Sequence, residues 1–99
     1  MEPKIIYNQF INGKRHITVQ PVGVCSRQID ILLAGDTIEE VQYFGGCMGN
    51  TQGLGALLRG MKVADAIERL SGIDCNFKGT SCPDQLAQAL VMVTSGVGK

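Results

Sequence analysis

The apolar pattern of this chain changes period once, and that change restricts it to few folds. From His16 to Phe44 the period is two. His16-Ile17-Thr18-Val19-Gln20 alternates, and Ile29, Ile31 and Leu33 alternate with Gln28, Asp30 and Leu32, as half-buried strands do. Ala34-Gly35-Asp36-Thr37 reads as a tight turn into a third strand, Ile38 to Phe44. After Gly45-Gly46 the spacing becomes helical. Leu54, Leu57, Leu58 and Met61 fall at i, i+3, i+4 and i+7, as do Val63, Ala66, Ile67 and Leu70, and then Leu86, Ala89, Leu90 and Val93. Asn50 or Thr51 suits a helix start, and Gly60 and Gly72 suit helix ends. Strands first and helices afterwards predict an α+β fold: a three-stranded antiparallel sheet followed by helices packed on one face.

A chain of 99 residues has room for one core, and no repeat or internal linker divides it. Residues 1–13, ending at Asn12-Gly13, read as an N-terminal extension whose Ile5 and Phe10 pack loosely on the domain. Residues 14–95 form that domain, and residues 96–99 are a frayed tail. Nine basic and nine acidic residues cancel without forming blocks, which argues against nucleic acid and anionic membranes as partners. The N-terminus has no apolar signal region and no stretch approaches a membrane span, so a cytoplasmic location is expected.

Location bears on the four cysteines, Cys25, Cys47, Cys75 and Cys82. In the cytoplasm thiols are kept reduced, and such residues are metal ligands or redox groups more often than disulfides. None forms a C-x-x-C pair, but all four stand at element boundaries, where loops bring side chains together at one end of a sheet. Pro83 suits a first helical position, which makes Cys82 the expected N-cap, at the positive end of a helix dipole that favours a thiolate. Asp84, in the same first turn, would oppose that thiolate if its charge lay close.

Cys47 lies among Gly45, Gly46, Gly49, Gly53 and Gly55. The last two fall at the start of a helix, where each costs about 1 kcal/mol relative to alanine, so a compensating close approach or ligand contact is expected. The loop matches neither the P-loop nor G-x-G-x-x-G. His16 reads as a solvated strand residue. Taken together, the cysteines point to one shared site for a zinc ion or an iron–sulfur cluster. Two other readings stand beside it: a thiol–disulfide relay using Cys75 and Cys82, and a metal-free interaction module whose cysteines are small buried hydrophobes.

Thr80-Ser81-Cys82-Pro83-Asp84 is similar to the signature of the TSCPD domain family. Gly-Val-Cys-Ser at 23–26, Phe-Gly-Gly-Cys-Met-Gly-Asn at 44–50 and Leu-Ser-Gly-Ile-Asp-Cys at 70–75 resemble its other blocks, in order, over residues 14–95. That family occurs at the C-terminus of vitamin B12-dependent ribonucleotide reductases and as short stand-alone proteins. The resemblance implies an accessory role beside a ribonucleotide reductase or another protein partner. It does not imply a complete reductase, because a domain of this length cannot enclose a nucleotide, a radical source and a protected thiyl radical.

The order of Cys25, Cys47 and Cys82 along strands and helices is also similar to that in U-type iron–sulfur scaffold proteins. Arg27 stands where those have an aspartate, Ser81 where they have a histidine, and Cys75 has no counterpart. A fourth thiolate in place of a weaker ligand favours a stable site over a transfer scaffold.

Overall fold

The computed structural model describes residues 2–24, 26–45, 48–73 and 80–95. Among these residues four strands come first: β1 (Lys4–Ile11), β2 (Lys14–Gln20), β3 (Gln28–Ala34) and β4 (Thr37–Phe44). Three helices follow among them: α1 (Met48–Leu58), α2 (Val63–Leu70) and α3 (Cys82–Ser95). All strand pairs are antiparallel and the sheet order is β1-β2-β3-β4, so the α+β class is as expected.

The strand count is not. The sheet has four strands rather than three, because Lys4–Ile11, read from sequence as part of an extension, pairs with β2 along its length. Asn12 and Gly13 both take positive φ, 54° and 78°, the type I′ turn that suits the twist of a two-residue hairpin. Ile5 packs against the core as expected, whereas Phe10 is 67% exposed. The proposed tail, residues 96–99, lies outside the described residues.

Alternation decides which face of the sheet is covered. Ile17 and Val19 of β2, Ile29, Ile31 and Leu33 of β3, and Ile38 and Val41 of β4 are buried. They form one cluster with Leu58 of α1, Val63 and Ala66 of α2, and Leu86, Ala89, Leu90 and Val93 of α3. The stripe expected on α3 is therefore wholly buried. That on α1 is not, since Leu57 is 74% exposed while Leu58 is 1%. His16 is half-buried on the opposite, uncovered face, beside Tyr7, Thr18 and Asp30.

The glycines of α1 divide into two kinds. A Cβ on Gly55 would stand 2.8 Å from the Val41 carbonyl oxygen, so α1 approaches β4 more closely than any side chain allows. Gly53 is exposed with nothing within 4 Å of such a Cβ, and nothing in the structure explains it. Opposite signs are expected in urea denaturation. Gly53→Ala raises stability by about 0.5–1 kcal/mol through helix propensity. Gly55→Ala lowers it by roughly 1–2 kcal/mol, because backbone must shift. If both stabilise, the close approach of α1 to β4 is wrong.

Candidate functional site

The first turn of α3 is the most densely bonded polar region among the described residues. Its cap is Ser81 and not Cys82. Ser81 Oγ accepts from the Asp84 N–H at 3.1 Å, and the Ser81 carbonyl accepts the first helical bond, from the Gln85 N–H at 2.8 Å. Cys82 and Pro83 are therefore the first and second helical residues. A serine hydroxyl is the stronger capping group, and the second position tolerates proline because its N–H would have no helical partner.

Asp84 organises the loops around this turn. Its Oδ2 accepts from Thr80 Oγ1 at 2.6 Å and from Gln88 Nε2 at 2.8 Å, and its Oδ1 accepts from the Gly72 N–H at 2.7 Å. Burial by itself would raise the pKa of this carboxyl. The bonds from Thr80, Gly72 and Gln88 outweigh it and hold the group below the usual carboxylate range. Its negative charge, expected to oppose a Cys82 thiolate, is thus taken up by three donors.

Gln85, fully buried, extends the network: its Nε2 donates to Thr80 Oγ1 at 2.9 Å, and its Oε1 accepts from the Val22 N–H at 2.8 Å. Among the described residues, no buried side-chain nitrogen or oxygen lacks a partner. The loop before β3, the end of α2 and the loop before α3 are all tied to one helical turn.

Cys82 lies at the edge of this network, half-buried, with its Sγ 2.8 Å from Ser26 Oγ in a shared hydrogen bond. Tyr43 of β4 donates its hydroxyl to the Cys82 carbonyl at 3.2 Å. Burial, and then the charge of Cys82, push the Tyr43 phenol far above its ordinary range, so it stays a donor.

Cys25, Cys47 and Cys75, the other three residues expected in the site, lie outside the described residues. Among the described residues no three His, Cys, Asp or Glu side chains are grouped as metal ligands. Chain close to each of the three cysteines is described. Ser26, next to Cys25, is buried against Cys82. Arg27 donates its N–H to the Phe44 carbonyl at 2.8 Å, and its Cγ stands 3.2 Å from where a Cβ on Gly45 would be, two residues before Cys47. Gly72, three residues before Cys75, is bonded to Asp84.

Sequence reasoning missed Thr80, Asp84 and Gln85 as organisers of the site. Ser81-x-x-Asp84 has the capping-box spacing and could have identified the cap. A fully buried glutamine at position 85 leaves no periodic signal.

A family model described as the TSCPD domain matches residues 6–93 of the 99. This chain belongs to the TSCPD domain family. The match includes most of β1, so the fourth strand is part of the TSCPD domain. No curated protein and no solved structure is significantly similar to the chain. No helix among the described residues of this TSCPD domain is long and apolar enough to cross a membrane.

Proposed function

We infer that this TSCPD domain is a small metal-binding module in which Cys25, Cys47, Cys75 and Cys82 hold one zinc ion or an iron–sulfur cluster. The observation that carries this reading is that chain close to two of the other cysteines is anchored at the first turn of α3, where Ser26 meets Cys82 and Gly72 is held by Asp84. Chain close to the third is joined to them through Arg27, next to Ser26, which lies against Phe44 and Gly45. Connectivity adds a limit: Cys25 is one residue from its anchor, Cys47 two and Cys75 three, at about 3.5 Å or less per residue.

The donor set fits a soft, thiophilic centre. Four thiolates on a divalent ion leave a net charge of about −2, and the charge of Arg27, next but one to Cys25, offsets part of it. Ser26 Oγ is placed to donate to a Cys82 thiolate. A zinc ion would act as a cross-link without redox chemistry, whereas an iron–sulfur cluster would supply one-electron transfer. In keeping with the family resemblance, the module acts as an accessory to ribonucleotide reduction beside a separate reductase.

Metal analysis of protein purified under reducing conditions tests this. About one equivalent of zinc, or iron with acid-labile sulfide, is expected, with the four thiols protected from titration until the protein is denatured. Less than about a tenth of an equivalent, with all four thiols free, sinks the reading. If a Cys75–Cys82 disulfide then forms on mild oxidation, the thiol–disulfide relay takes its place.

A further inference from the structure

Four of the ten large apolar side chains exposed among the described residues belong to one strand. Ile6, Tyr7, Phe10 and Ile11 are 51%, 44%, 67% and 41% exposed, and all belong to β1, the edge of the sheet opposite β4. Monomeric proteins usually protect such an edge with charge, proline or bulges, because its free N–H and C=O groups are a template for another strand. Residues from Ile5 to Ile11 contain no charge and no proline. One irregularity in register, between Ile5 and Tyr7, leaves Tyr7–Ile11 as the regular stretch.

The direction of its free groups follows from the hairpin. Residues flanking a two-residue turn exchange hydrogen bonds, and bonded pairs alternate with unbonded ones. The register pairs Ile11 with Lys14, Gln9 with His16 and Tyr7 with Thr18, so these three turn their backbone toward β2. Asn8 and Phe10 turn theirs outward.

We propose that β1 pairs antiparallel with β1 of a second copy of this chain, joining two four-stranded sheets into one of eight strands. The twofold axis passes through Gln9. Asn8 exchanges backbone hydrogen bonds with Phe10 of the second copy, and Tyr7 stands across from Ile11 at both ends of the pairing. A second copy fits better than a foreign strand because every neutral residue of β1 then meets a neutral one, and the chain carries no net charge to repel its twin.

The test is the molar mass by light scattering between about 10 μM and about 1 mM, a range that captures weak and moderate association. Twice the monomer mass is expected at the upper end. Asn8→Pro removes one outward N–H and leaves the β2-facing groups intact, and it is expected to weaken association by at least about tenfold. Tyr7→Glu and Ile11→Lys, whose side chains lie on the uncovered face, each weaken it when made singly. Together in one chain they set opposite charges across both ends of the pairing and restore it. A wild type that is monomeric at the highest concentration overturns the proposal. So does a dimer indifferent to Asn8→Pro with unchanged circular dichroism, or a double variant no better than the singles.

Discussion

Replacing Asp84 with alanine is expected to lower stability by about 3 kcal/mol, a loss of roughly 15 °C in melting temperature for a domain of this size. The estimate starts from three donors deprived of their acceptor: the Gly72 N–H, Thr80 Oγ1 and Gln88 Nε2. A buried donor left without a partner costs about 1–3 kcal/mol. Thr80 is fully buried and bears the whole penalty, whereas Gly72 is exposed and Gln88 half-buried, so water replaces part of what they lose. The sum is therefore well under three full penalties. Asp84→Asn keeps one carbonyl oxygen and should cost about half as much. If alanine costs less than about 1 kcal/mol, the carboxylate does not hold the loops as described.

The same group sets an acid limit. Its folded-state pKa lies below that of the unfolded chain, where an aspartate titrates near about 3.9. A depressed carboxylate binds its proton more readily after unfolding. Its contribution is therefore complete well above the unfolded value and is lost as pH falls through that value toward the folded one. Urea midpoints measured from pH 6 down to pH 2 should fall more steeply for wild type than for Asp84→Asn, with the two curves converging at the acid end. Parallel curves across that window contradict the assignment.

How much of this was legible in sequence depended on whether burial imposed a period. β2 and β3 are central strands with one face on the core, so Ile17, Val19, Ile29, Ile31 and Leu33 announced themselves. β1 is an edge strand that buries almost nothing. Its run of Ile5, Ile6, Tyr7, Phe10 and Ile11 has no alternation to read, and only the Asn12-Gly13 turn betrayed the hairpin. α3 showed its stripe because it lies across the sheet. α1 misled because Leu57 shares the spacing of Leu54 and Leu58 without touching the core.

At the site the sequence offered residue types and boundaries. It could not reveal that Ser81 outcompetes Cys82 for the cap, or that Gln85 ties Val22 to Thr80, because both depend on which loops meet. Of the four cysteines named, Cys82 is placed at the meeting point of those loops.

Removing the proposed metal is expected to have an effect of similar size. A chelator should lower the melting temperature by roughly 10–20 °C, equivalent to about 2–3 kcal/mol. The hydrophobic cluster spans the sheet and the helical stripes, and it does not need the ion to form. The described chain beside Cys25 and before Cys75 is tied to the start of α3 by hydrogen bonds. One ion bound to four thiolates would cross-link the segments that carry them, closing successive loops of 22, 28 and 7 residues, of which the two long ones have ends that are otherwise costly to hold together. Circular dichroism should then show strands and helices retained after chelation, with cooperativity reduced and Ser26, Gly72 and Thr80 exchanging their amide protons faster. Cys82→Ser should melt where chelated wild type does and be insensitive to chelator, since its hydroxyl is a far poorer ligand than a thiolate. A wild type stripped of metal yet melting within about 2 °C of the loaded protein would show that any ion bound there is not part of the folded structure.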